Sequence, residues 1–313
     1  MATQDSTGSS LGPEFTQQVI DSMGPNTPPR LREIMSSFIR HMHGFARDVQ
    51  LTSDEWLLGV NMINWAGQMS NEKRNEGQLM CDVIGLESLV DDITYTVATK
   101  STSGLTASAI LGPFYREDHP IRENGTTISF DMPKDAQVAY MHGVVTDAKT
   151  GKPLANAEID IWQASTNGKA GGSLRTIRWR EPTKTDWRIG LYEQQDPNQQ
   201  DLNLRGKFIT DSEGRYSLYC LRPTPYPIPE DGPAGKMLRM MDRHFYRPAH
   251  IHLLVRCKGY KQLITQIFDK DCKYLSNDTV FAVKDELTVE FKPRKDDPQA
   301  SFDLEYNISL GGA

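Results

Sequence analysis

The sequence predicts an all-β sandwich preceded by an α-helical N-terminal region, and two observations carry that prediction. In the first third of the chain, apolar residues recur at steps of three and four, the spacing of one helix face. From about residue 130 they alternate with polar residues, the period of a half-buried strand. The expected division is a helical region over residues 1–115 and a β-sandwich over 116–313.

The elements follow in order. In LREIMSSFIRHMHGFARDV, residues Leu31, Ile34, Met35, Phe38, Ile39, Met42 and Phe45 form one helical face. In LTSDEWLLGVNMINWAGQM, Thr52 and Glu55 fit a capping box, with Leu51 and Trp56 placed for a hydrophobic staple. A third helix is expected in QLMCDVIGLESLVDDITYTV, with Leu79, Val83, Leu86, Val90 and Ile93 inward. Near residue 101 the chain becomes rich in Ser, Thr, Gly and Pro. AYMHGVVTDAKTGKPLANAEIDIWQAS then reads as a strand, a turn at Lys149–Lys152, a loop and a second strand. RGKFITDSEGRYSLYCLRP reads as a hairpin turning at SEG, with Tyr216, Leu218 and Cys220 on one face. HIHLLVRC, KQLITQIFD, TVFAVKDE and SFDLEYNISL supply further strands, and several short strands with regular turns make a sandwich.

Composition narrows the function classes. A net charge of −6 over 313 residues gives no electrostatic reason to expect nucleic acid or an anionic membrane as partner. Four dispersed cysteines without C-x-x-C spacing read as reduced thiols of a cytoplasmic protein. The polar N-terminus lacks the apolar stretch of a secretory signal, and no apolar run is long enough to span a bilayer. One stretch, NGKAGGSLRTIRWREPTKTDWRIG, has little apolar periodicity and carries Lys169, Arg175, Arg178, Arg180, Lys184 and Arg188. It reads as a solvated surface excursion, or else as a lid or subunit contact.

The chemistry gathers around YRPAHIHLLV. Residues two apart on a strand share a face, so the imidazoles of His250 and His252 stand side by side, spaced for one metal ion. Tyr226 lies between Pro225 and Pro227, which disfavour helix and central strand and leave a stiff extended loop. Tyr192, in GLYEQQDP, is a second candidate phenol. Two phenols and two imidazoles select a hard, strongly Lewis-acidic ion, because a phenol of pKa near 10 ionises at neutral pH only against such an ion. That favours Fe(III) over Zn(II) or Cu(I). The alternative from the residues alone is a non-catalytic transthyretin-like binding module, with zinc at the His pair.

Taken together, IDIWQASTNG, GLYEQQDP, GKFITDSEGRY, RPTPYPIP and RPAHIH resemble the intradiol ring-cleavage dioxygenases. The helical part, with HGFARDVQLTSDEW and LGPFY, is similar to the subgroup acting on catechol and hydroxyquinol, and the likeness runs from about residue 30 to 292. The resemblance implies a transthyretin-like catalytic sandwich and one non-haem Fe(III) per subunit, held by Tyr192, Tyr226, His250 and His252. Tyr226 is then the phenolate displaced by substrate and Tyr192 the one that stays, with Tyr216 and Tyr246 their nearest competitors. Arg247 matches a residue that stabilises charge on the bound ring, and Gln266 a polar group near the iron, its alternative being a solvent-facing strand glutamine. A long basic insertion ahead of Tyr192 departs from the family pattern.

The implied reaction cleaves a small aromatic diol between adjacent hydroxyls with O₂. Hydroxyquinol giving a maleylacetate-type product is preferred over catechol giving cis,cis-muconate. The preference rests on a pocket wall of Ile110, Leu111, Gly112, Pro113 and Phe114, closed by Ile228 and Pro229. It rests also on Leu89 and Asp92, three apart on one helical face, where a carboxylate meets the third hydroxyl of hydroxyquinol or is simply a solvated charge. Family members dimerise through such N-terminal helices, so a homodimer is expected, with a hydrophobic channel at the interface able to hold lipid.

Overall fold

A computed structural model describes residues 11–72, 74–99, 102–130, 136–168 and 189–313. The basic stretch from Lys169 to Arg188 lies outside the described residues. The chain divides into two compact units, 1–64 and 65–313.

In the first unit, α1 (Pro13–Asp21) and α2 (Pro29–Asp48) both start on a proline, whose fixed φ suits the first helical turn. Thr16 of α1 is hydrogen-bonded to His43 at 3.1 Å and receives Arg47 Nη2 at 2.9 Å. Helix α3 (Ser53–Met69) runs across the division. It begins with the expected capping box: Thr52 N donates to Glu55 Oε2 at 2.9 Å, and Glu55 N to Thr52 Oγ1 at 3.3 Å. The apolar stripe of α2 is amphipathic as expected, yet Leu31, Ile34, Phe38, Met42 and Phe45 are exposed in the single chain.

The expected third helix is two helices, α4 (Glu76–Val83) and α5 (Leu86–Thr99). Gly85, at φ +74°, adopts the left-handed conformation that ends one helix and re-aims the next. Leu79 and Val83 are buried, whereas Leu86, Val90 and Ile93, expected inward, are exposed on α5. Helical spacing identified one face in each helix, but the glycine between them uncouples the two faces.

Among the described residues the sandwich has two main sheets. One runs β1 (Thr126–Thr127), β7 (Arg215–Leu221), β2 (Val138–Asp147), β14 (Phe302–Glu305) and β13 (Lys292–Pro293), with β15 (Ile308–Leu310) also on β2. The other runs β12 (Thr288–Val289), β11 (Leu263–Asp269), β10 (His250–Arg256), β3 (Glu158–Gln163) and β6 (Arg205–Ile209). Met141 and Leu218 from the first pack with Ile161, Leu253 and Ile267 from the second in one core. Two short ribbons complete the site side: β4 (Ser165–Gly168) with β5 (Ile189–Leu191), and β8 (Tyr226–Pro227) with β9 (Tyr246–Arg247). Helix α6 (Pro233–Met240) lies between β8 and β9 in the chain and packs on α4.

Two strand expectations change. RGKFITDSEGRYSLYCLRP is not a hairpin, because β6 pairs with β3 while β7 pairs with β2 in the opposite sheet. The SEG turn is where expected, with Gly214 at φ +71°, but it hands the chain from sheet to sheet. Period-two patterning fixes which side chains are buried, not which strand is the partner. TVFAVKDE is irregular rather than a strand. Asp278 accepts the backbone N–H groups of Val280 and Ala282 at 3.2 and 3.1 Å, and Phe281 sits at φ +61°.

Candidate active site

Sheet register builds half of the site. In the second sheet His252 lies opposite Gln266 on one side and Trp162 on the other, so the three share a face. Trp162 stacks on His252 with centroids 4.7 Å apart and an 8° angle. His250 is two residues back on that face, and the two Nε2 atoms converge to 3.1 Å. His250 Nδ1 donates to the Pro248 carbonyl at 2.7 Å, which leaves Nε2 as an acceptor, and Arg247 Nη1 lies 3.2 Å from it. Burial, with the Arg247 charge beside it, pushes the His250 pKa well below the usual value. Burial does the same for His252, aided by His250 and Arg247. Both are therefore neutral, the form that binds a metal.

Irregular backbone supplies the other half. Tyr226 opens the β8–β9 ribbon directly opposite Arg247, whose positive charge acts on its hydroxyl. Tyr192 follows β5, and the Gly190 N–H donates to the Pro225 carbonyl at 2.9 Å, tying its strand to the Tyr226 loop. The phenol rings stand edge-on at 5.1 Å and 89°. Tyr226 lies 5.5 Å from the His250 ring, and Tyr192 6.3 Å from that of His252.

The two phenols differ in their partners. Burial raises Tyr226 to about 12, against the opposing charge of Arg247. Burial raises Tyr192 well above the ordinary phenol value, and the Tyr226 phenol adds to the shift. The Tyr192 hydroxyl is buried with no hydrogen-bond partner among the described residues. An orphaned buried phenol beside two neutral imidazoles fits a strong Lewis acid. Among the described residues no three of His, Cys, Asp and Glu are grouped to hold a metal, so the phenols are the donors available to the histidine pair. The competitors are committed elsewhere. Tyr216 donates to the Tyr306 carbonyl at 2.7 Å inside the sandwich core, and Tyr246 stacks on Tyr274 at 5.0 Å.

Arg247 is 1% exposed and deeply constrained. Its Nε and Nη2 donate to the two oxygens of Asp278 at 3.2 and 3.1 Å, and Nη2 also to Gln266 Oε1 at 2.8 Å. Burial opposes its charge, but Asp278 and the two phenols outweigh that and hold it protonated. Gln266 donates in turn to the Ile110 carbonyl at 2.6 Å and is fully buried, not solvent-facing.

The wall residues divide. Phe114 stacks on Tyr192 at 4.5 Å, and Ile228 packs in the same apolar cluster with Leu111 against it. Gly112, at φ +73°, lies so close to His252 that a Cβ would come within 3.2 Å of its ring. Ile110 is buried in the neighbouring cluster around Phe268, while Pro113 and Pro229 are half-buried. Leu89 and Asp92 do not join this group. Both are exposed, and they line a surface groove whose walls include none of the four ligand candidates.

Leu79 and Asp82 stand where those two were expected. They are also three apart on one helix, α4, and both are buried. Leu79 packs with Phe114, Tyr192, Tyr226 and Ile228. Burial, together with the neighbouring Glu87 carboxyl, raises the Asp82 pKa to about 9. Asp82 feels the Arg247 charge, and its Oδ1 is buried without a partner among the described residues. The sequence signal was the same Leu-x-x-Asp spacing, one helix earlier.

Two family models match the chain: "Catechol dioxygenase N terminus" over residues 28–102 and "Dioxygenase" over residues 184–312. An intradiol ring-cleavage dioxygenase, prcA, of Aspergillus niger is 47% identical over 97% of this chain and 90% of its own length. A catechol 1,2-dioxygenase of Candida albicans is 46% identical over 95% of this chain and 91% of its own. Among solved structures, a hydroxyquinol 1,2-dioxygenase from Pseudomonas putida superposes with a TM-score of 0.78 at 32% identity, covering 96% of this chain and 98% of that one.

Proposed function

We infer the function from one premise: this chain belongs to the intradiol ring-cleavage dioxygenases, in the subgroup acting on hydroxyquinol and catechol. We propose that Tyr192, Tyr226, His250 and His252 hold one non-haem Fe(III). When bound, that ion supplies Lewis acidity and a template on which diol and O₂ meet. Tyr226 Oη would accept a proton from the incoming diol, with the Arg247 charge beside it favouring the phenolate beforehand. Arg247, locked by Asp278 and Gln266, places fixed positive charge where the ring becomes electron-rich, with no reorganisation needed during reaction. Phe114, Leu79 and Ile228 surround the phenols with apolar surface and exclude water.

The preferred substrate is hydroxyquinol, and Asp82 carries that reading. A protonated carboxyl whose Oδ1 has no partner among the described residues meets a third hydroxyl at little cost, and a substrate lacking that hydroxyl leaves that oxygen unpaired. Catechol is the second reading, favoured by the 46% identity to a protein of that name. Oxygen uptake by iron-replete protein with each diol at matched concentration separates them. Faster uptake with hydroxyquinol supports the first, and faster uptake with catechol overturns it in favour of the second.

The protein is further proposed to act as a homodimer joined through its N-terminal helices. The exposed Leu31, Ile34, Phe38, Met42 and Phe45 of α2 support this, as an apolar stripe of that length is unusual on a monomer's surface. Lipid in a channel at that interface belongs to the same reading. Sedimentation across a hundredfold concentration range tests it, since a chain that stays monomeric throughout contradicts it. No described helix is long and apolar enough to cross a membrane.

A further inference from the structure

Behind Trp162 lies a buried polar cluster that the reaction above does not use. Its centre is Arg205, the first residue of β6, with 0% exposure. All three arms of its guanidinium are engaged. Nε donates to Glu193 Oε1 at 2.8 Å, Nη2 to Gln194 Oε1 at 2.9 Å, and Nη1 to His119 Nε2 at 3.0 Å. A guanidinium cannot accept, so His119 must carry its proton on Nδ1, which hydrogen-bonds Asp160. The second oxygen of Asp160 receives the Tyr115 hydroxyl at 3.4 Å. Glu193 Oε1 also takes Arg116 Nη1 at 3.0 Å.

Two of the three groups that Arg205 grips, Glu193 and Gln194, are the residues directly after Tyr192. Tyr115 and Arg116 directly follow Phe114, whose ring lies flat against that of Tyr192. The Tyr192 hydroxyl itself has no protein partner among the described residues, so nothing at its own tip fixes its direction. We propose that Arg205 is a positioning residue for Tyr192: by clamping Glu193 and Gln194 it aims the phenol at the two imidazoles. The inference rests on the reading of Tyr192 as an iron ligand.

Such indirect anchoring groups are worth about 10- to 100-fold in metal affinity elsewhere. The test is the rate of iron loss to an excess of chelator, followed by the visible phenolate-to-iron absorption, in four proteins: parent, Arg205→Lys, Tyr192→Phe and the double variant. Lysine keeps the charge but cannot span three acceptors. The expected result is iron loss about tenfold faster with a shifted absorption band in Arg205→Lys, and a double variant no faster than Tyr192→Phe alone. Parent-like iron loss in Arg205→Lys, or effects that multiply in the double variant, overturns the positioning role. Unchanged colour and iron retention in Tyr192→Phe instead overturns the ligand assignment, and the inference falls with it. Should Arg205→Lys fail to fold, Glu193→Gln, of the same shape but uncharged, is read in its place. Parent-like iron loss in that variant also overturns the proposal.

Discussion

Helices α4 and α5 carry the same pair, a leucine with an aspartate three residues on, and the two pairs end in opposite environments. Leu79 and Asp82 are buried against the phenols and Arg247, whereas Leu89 and Asp92 are exposed beside a surface groove. Spacing identifies residues that share a helix face, and it is silent on which face the fold covers. Here a single glycine at φ +74° decides the matter by ending α4 and turning the chain before α5.

The first way to sharpen this contrast is to remove the charge that the α4 side faces. Arg247→Ala should lower kcat by about 10²- to 10³-fold, as for loss of one preorganised donor, while iron content stays near one per chain. Turnover within a few-fold of the parent would remove Arg247 from the reaction. Next, Leu79→Ala should cost about 2–5 kcal/mol of stability, because it opens a cavity in a packed apolar cluster. Asp92→Ala should stay within about 0.5 kcal/mol, as expected for an exposed side chain. Denaturant titration of both variants measures the difference, and equal losses would erase the contrast between the helices.

Gly85→Ala attacks the break itself. An alanine there is strained at positive φ, and its Cβ meets the Phe281 ring at 3.1 Å, so about 1–2 kcal/mol of destabilisation is expected in a melt. The remaining effect concerns pH. A carboxyl raised to about 9 binds its proton more tightly in the folded chain than in the unfolded one. Its contribution is complete below the unfolded value of about 4, and it is lost as pH rises through about 9. Asp82→Asn should therefore flatten the decline of melting temperature over that window, and an unaltered slope would contradict the burial of this acid.

Much of the site was legible because local rules fixed it. The alternation in HIHLLV put His250 and His252 on one face, and the prolines around Tyr226 kept its strand to the two residues of β8, in a short ribbon outside the main sheets. The capping box at Thr52 formed because both of its bonds are local. What escaped was set by pairing across long separations. The strands flanking the SEG turn join opposite sheets. Asp278 meets Arg247 from 31 residues away, and Arg205 meets Glu193 from 12, separations that no spacing rule reaches.

The most direct test of the account is the ratio of kcat/KM for hydroxyquinol to that for catechol in the parent, Asp82→Asn and Asp92→Asn proteins. The ratio should exceed one in the parent, fall by about tenfold or more in Asp82→Asn, and stay unchanged in Asp92→Asn. A ratio that moves with Asp92 and not with Asp82 would contradict it.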